Sequence, residues 1–305
     1  MCPCQGVSVT RSAIFGLVLI SIACGGVQGP EAPAPGEPAP TVTGGGSVAT
    51  SDGTSIAYTV FGTGAPALVF IHGWMCNQTF WDAQVSPMSE SHTVVTIDLA
   101  GHGLSEMNRD AWTMTSFGAD VQTVVEHLGL EEVILVGHSM GAPVALEAAR
   151  LMPDRVIGVI AVDALQNADF QVDPTRAAEL LALWEEDFAG SCTSFVTSMF
   201  PESADPWLVD RVETSMCAAT PESSIAQLRA FFRYDLKTAL EAIHVPVRCI
   251  NSANWPTNVE GNRAYHEDFD AIIIDGPGHF LMMEEPDEFN KLLAPTIVDL
   301  EKQSE

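Results

Sequence analysis

Six short, mostly apolar runs, each ending at a polar residue or a glycine, constrain this chain more than any other feature. Ala67–Ile71 stops at His72-Gly73, Thr93–Ile97 at Asp98, Val133–Val136 at Gly137, Val156–Val162 at Asp163, Val245–Ile250 at Asn251 and Ala271–Ile274 at Asp275. Strands that are apolar on both faces and are separated by helical stretches predict a mostly parallel sheet covered by helices on both faces, an α/β architecture. Upstream, Asp52-Gly53 between two extended runs predicts a hairpin over Val48–Tyr58. Open α/β sheets bind ligands at the carboxyl ends of their strands, so the residues that close each run become site candidates.

One stretch breaks the alternation. Residues 166–240 contain no clear strand, and Ala177–Phe188, Trp207–Cys217 and Ser223–Phe232 have helical spacing, which predicts a helical cap inserted between two strands. The core is then expected in two pieces, 48–165 and 241–305, closing with a surface helix over Pro286–Leu300. Apolar residues make up 47% of 305, enough to bury a sizeable core. Forty acidic against 13 basic side chains give a net charge of −27, a field that repels nucleic acid and anionic surfaces and favours solubility.

The N-terminus reads as a separate segment. Ala13–Ala23 is apolar but too short for a stable span, and Ser21-Ile22-Ala23-Cys24 resembles the end of a bacterial lipoprotein signal, with Ser21 where such signals usually carry Leu. The resemblance implies a signal over 1–24, lipidation at Cys24 and anchorage in the cell envelope. A plain signal peptide and a secreted or periplasmic product remain the alternative. Residues 25–47, rich in Pro and Gly, are expected to form a tether. Export would place the folded part in an oxidising compartment, where Cys192 and Cys217, both in the cap, are the preferred pair among Cys76, Cys192, Cys217 and Cys249.

Gly137-His138-Ser139-Met140-Gly141 lies between a strand and a helix, the context of the Gly-x-Ser-x-Gly elbow that lifts a serine hydroxyl above a sheet. With it, residues 48–303 resemble the α/β-hydrolase family, in a serine esterase or lipase-like form with a cap. The resemblance implies Ser139 as nucleophile and His279, after the last strand, as general base. It also implies an oxyanion hole made by the main-chain N–H groups of Met140 and Trp74. His72, His102 and His138 belong to family-like loops and are expected to be structural, as is Asp98–Ser105. His92, His127, His244 and His266 read as surface or loop residues.

The acid member departs from the usual pattern. The position after Val245–Ile250 where relatives carry aspartate holds Asn254, and an amide cannot neutralise an imidazolium. Asp163, ending the strand after the nucleophile helix, is the substitute some relatives use; Asn254 as a weak orienting amide, Glu260 and Asp268 stay open. The implied reaction is cofactor-free acyl transfer from a small-molecule ester, with an acyl pocket lined partly by cap residues such as Trp184 and Phe195. Rival readings are a binding or sensor protein that has lost turnover, and a C–C hydrolase or perhydrolase. No metal motif is present in the folded part, and the oligomeric state is left open.

Overall fold

The computed structural model describes residues 41–304. The signal at 1–24, with Cys24, and most of the expected tether lie outside them. In chain order the first half comprises β1 (Val42–Ala49), β2 (Ser55–Phe61), β3 (Ala67–Ile71), α1 (Asp82–Met88), β4 (Val94–Ile97), α2 (Met114–His127), β5 (Val133–His138), α3 (Gly141–Leu151) and β6 (Val156–Val162). Five helices follow: α4 (Pro174–Glu186), α5 (Phe188–Ser198), α6 (Pro206–Met216), α7 (Pro221–Phe231) and α8 (Leu236–Glu241). The chain then returns through β7 (Val247–Ser252), α9 (Val259–Arg263), β8 (Phe269–Ile274), α10 (Leu281–Glu284) and α11 (Pro286–Ser304).

The strands form one sheet in the order β1-β2-β4-β3-β5-β6-β7-β8, antiparallel at β1-β2 and β2-β4 and parallel from β4 onward. Central strands such as β3 and β5 are buried along their whole length, as two-sided coverage demands. The outermost strand differs: β8 pairs with β7 on one side only, and its Ile272 and Ile273 remain exposed. Residues 42–47, expected in the tether, are strand instead. Gly44, Gly45 and Gly46 pair with Val60, Thr59 and Tyr58, since an edge ladder is made by main-chain groups and needs no side chain.

Three of the helices between β6 and β7 start at prolines. Asp173 and Asp205 cap α4 and α6 by accepting amides of the first turn, Pro174 and Pro206 supply preset φ, and Pro221 does the same for α7, whose N-cap Thr220 makes no side-chain capping bond. The sequence pattern missed α5, whose N-cap is Asp187. Cys192 of α5 and Cys217 at the end of α6 form a disulfide. Cys76 and Cys249 are free and buried. Among the described residues no helix is long and apolar enough to cross a membrane.

Candidate active site

Four non-glycine residues with left-handed backbone mark the carboxyl edge of the sheet: Met75 (φ +57°), Ser139 (φ +51°), Asp163 (φ +44°) and Leu165 (φ +55°). Such conformations cost about 1–3 kcal/mol each and persist only where the surroundings hold them, which makes this edge the place to look for chemistry. At Ser139 the surroundings are two glycines. A Cβ on Gly137 would stand 2.3 Å from Gly141 O, and one on Gly141 would stand 2.4 Å from Ile71 O. The turn from β5 into α3 therefore closes only with hydrogen at both positions. Ser139 N–H donates to Val162 O at 3.0 Å, tying the turn to β6.

His279 reaches this edge from the loop after β8. Its Nδ1 lies 2.6 Å from Asp163 Oδ2, a short hydrogen bond of the charge-assisted kind. Asp163 is buried at the end of β6, and its second oxygen accepts Ser252 N–H at 2.9 Å. Two buried amides shape the turn that aims it. Asn251 exchanges hydrogen bonds with Ala164 N and O, and Asn262 donates to Leu165 O at 2.7 Å while accepting from Ala168 N. The remaining ring nitrogen of His279 has no hydrogen-bond partner among the described residues, and its ring and Ser139 line the same cavity.

The loop after β3 passes beside Ser139. A Cβ on Gly73 would come within 3.0 Å of His138 Nδ1 and 3.2 Å of Ser139 Cβ, so glycine sets how near this loop approaches. Trp74 and Met140 both line the cavity, and among the described residues neither main-chain N–H has an acceptor. Two buried imidazoles hold the loop. His72 Nε2 accepts Leu99 N–H at 3.0 Å, and His102 Nε2 accepts Met75 N–H at 3.1 Å. Both must be neutral to accept, and burial pushes their pKa down, to about 4 for His72 and about 3 for His102. His138 is likewise held neutral by burial and by neighbouring His279, and its Nε2 bonds the His279 carbonyl at 3.0 Å.

The cavity has a volume of about 270 Å³ and is almost wholly apolar. Its roof comes from the cap: Leu180 and Trp184 of α4, Phe195 of α5, Met199, Met216 of α6, and Phe231 of α7. Trp74 packs edge-on against Trp184 and Phe195, with ring centroids 4.9 and 5.6 Å away. Its Nε1–H donates to Ser224 O of α7 at 3.0 Å, fastening the β3 loop to the cap.

Of the acids considered from sequence, only Asp163 meets the imidazole. Asn254, at the position where relatives carry aspartate, is exposed and donates to Pro277 O at 3.2 Å. It sits in the turn that follows β7 at Ala253–Asn254, braces the His279 loop and makes no hydrogen bond to the ring. Glu260 pairs with Arg263 and Asp268 with Arg248, both away from His279. Asp98 is structural, accepting Gln78 and Leu104 amides. His266, expected to be a surface or loop residue, lies in the loop between α9 and β8 but is buried there, with Nε2 3.0 Å from Val245 O. Asn251 was a site candidate from sequence only as a strand end, without a role; sequence reasoning missed Asn262, Ser252 and Glu284, of which the first two act across 97 and 89 residues and leave no local signal. Among the described residues no group of three or more His, Cys, Asp or Glu side chains is placed to hold a metal ion.

A mostly parallel sheet with a strained serine turn after its fifth strand and a histidine loop after its last defines a hydrolase of the α/β class. The model of the alpha/beta hydrolase family matches residues 68–292, and the chain belongs to that family of enzymes. A bifunctional esterase/perhydrolase of Acinetobacter calcoaceticus is 38% identical over 123 residues, covering 39% of this chain and 45% of that protein. The chain spans about a third to a half of the length of several curated relatives it matches. The 3-oxoadipate enol-lactonase 2 of Acinetobacter baylyi is 24% identical over 247 residues, covering 79% of this chain and 92% of that protein. In fold, the chain is similar to a thermophilic esterase from Thermogutta terrifontis, with a TM-score of 0.73, 22% identity and coverage of 84% and 99% of the two chains.

Proposed function

We propose that this enzyme is a serine hydrolase of carboxylic esters, with Ser139 as nucleophile, His279 as general base and Asp163 as the acid that holds it. The observation carrying the reading is the 2.6 Å contact of His279 Nδ1 with buried Asp163 beside a cavity that Ser139 shares. In that tautomer Nδ1–H donates to the carboxylate and Nε2 keeps a free lone pair. Ser139 Oγ gives its proton to Nε2 and attacks the ester carbonyl, and Asp163 stabilises the imidazolium. The main-chain N–H groups of Trp74 and Met140 receive the negative oxygen of the tetrahedral intermediate. Collapse expels the alcohol, protonated by His279, and water repeats the sequence on the acyl-enzyme to release the acid and restore Ser139.

The apolar cavity of about 270 Å³ favours a small to medium hydrophobic acyl group. The names of the esterase and lactonase relatives support the same chemistry, since a lactone is a cyclic ester. Export and lipid anchorage through Cys24 complete the reading. A disulfide between Cys192 and Cys217 is the kind of bond an oxidising compartment preserves, which supports export. A panel of p-nitrophenyl esters of increasing acyl length, run beside Ser139→Ala, tests the activity. Ser139-dependent release on short and medium chains is expected; equal release by Ser139→Ala, or none on any chain, contradicts it.

A further inference from the structure

The segment carrying His279 is fastened on both sides of the imidazole. His279 N–H donates to Met199 O of the cap at 2.9 Å, and Pro277 O accepts Ser252 Oγ at 2.7 Å. The amides that flank His279 both go to one carboxylate: Gly278 N–H to Glu284 Oε2 at 2.8 Å and Phe280 N–H to Glu284 Oε1 at 3.0 Å. This link is built locally. After Phe280 the chain makes the single turn of α10, closed by Met283 and Glu284 amides on Phe280 O, which carries the Glu284 side chain back over the start of the turn. Gly278 leaves no slack, because a Cβ there would stand 2.2 Å from Met199 O.

We propose that Glu284 is a positioning residue for His279, its carboxylate bridging the two flanking amides so that the imidazole keeps its contact with Asp163, and setting a second negative charge beside the imidazolium. The inference rests on the catalytic reading given above. A carboxylate suits the task because both its oxygens accept; the side-chain amide of glutamine can satisfy one N–H only by turning its own N–H₂ toward the other. Burial raises the Glu284 pKa above the usual carboxylate range despite two amide bonds, and His279 favours its charged form while Asp163 opposes it. These two charged groups act on Glu284, and neutral His138 packs on the imidazole with ring centroids 4.6 Å apart.

The test uses Glu284→Gln and Glu284→Asp in the full chain, read by kcat, KM, the pH profile and the NMR resonance of the proton between His279 and Asp163. Glu284→Gln is expected to lower kcat about tenfold with KM within about twofold, to move the basic group's pKa downward and to shift the bridging-proton resonance. Glu284→Asp, which keeps the charge on a shorter arm, is expected to lose kcat while holding that pKa, and it carries the same reading should the glutamine variant fail to fold. A folded Glu284→Gln protein with unchanged kcat and an unmoved resonance overturns the proposal. So does a loss of kcat that merely follows the folded fraction, with the pH profile unmoved in both variants. If wild type itself shows no Ser139-dependent turnover, the catalytic reading fails and the resonance alone decides the positioning role, a shift in Glu284→Gln supporting it and no shift refuting it.

Discussion

Replacing Asp163 by asparagine separates orientation from shape. Asp163 is buried, and its two oxygens have different partners, Ser252 N–H at 2.9 Å and His279 Nδ1 at 2.6 Å. An asparagine must keep its oxygen on the fixed Ser252 amide, since the alternative sets two donors against each other. Its N–H₂ then faces His279 Nδ1 and selects the tautomer with the proton on Nε2, which cannot accept from Ser139. Loss of the tautomer and of the counter-charge together cost about 10⁴ in kcat in the serine-protease template, about 5 kcal/mol of transition-state stabilisation. Steady-state kinetics on a short p-nitrophenyl ester is expected to show a fall of roughly 10³ to 10⁴ in kcat with KM little changed. Asn254→Asp is expected to leave wild-type kcat in place and to rescue nothing in the double variant, because this side chain meets Pro277 O rather than the ring. An Asp163→Asn protein with kcat within about threefold of wild type would refute the assignment, because the template effect is thousands-fold.

Four further outcomes follow from the same geometry. Gly141→Ala forces a Cβ to within 2.4 Å of Ile71 O and is expected to lower the urea midpoint together with activity, whereas an unchanged midpoint would show that the elbow can relax. His72, with its pKa lowered from 6.5 to about 4, binds a proton more readily unfolded than folded; its stabilisation is therefore complete above pH 6.5 and fades as pH falls toward 4. The fading amounts to about 3 kcal/mol, and His72→Gln is expected to flatten that part of the curve of urea midpoint against pH. Removing the Cys192–Cys217 bridge, which spans 25 positions, is expected to cost about 3 kcal/mol in urea unfolding and to weaken activity through the cap. Trp184→Ala enlarges the roof of the cavity and is expected to move the preferred acyl length upward in the ester panel; an unchanged preference would place the acyl group elsewhere.

The parts of the site that were legible in the sequence are those whose constraint is local. Gly137 to Gly141 announce the elbow because the turn excludes any side chain at either end, and His279 follows a strand that reads plainly. Asp163 was visible as a strand end, but its choice over Asn254 depends on how the chain turns after Ser252, a three-dimensional matter. Asn251 was marked only as the end of a strand, and the partners that give it and Asn262 their roles lie 87 to 97 residues away, where no local pattern reveals them. Glu284 was in principle readable, as an acid four residues past Phe280, one helical turn beyond the start of α10. The glycines at 44 to 46 misled in the other direction: composition suggests a tether, while main-chain pairing with β2 makes an edge strand.

The most direct measurement of whether an imidazole-activated Ser139 does the chemistry is labelling of the protein with an alkyl fluorophosphonate, followed by mapping of the adduct by mass spectrometry. A single phosphonyl adduct on Ser139, absent in Ser139→Ala and formed far more slowly in His279→Ala, is the expected result. An adduct on another residue, or labelling of Ser139 at the wild-type rate without His279, would contradict it.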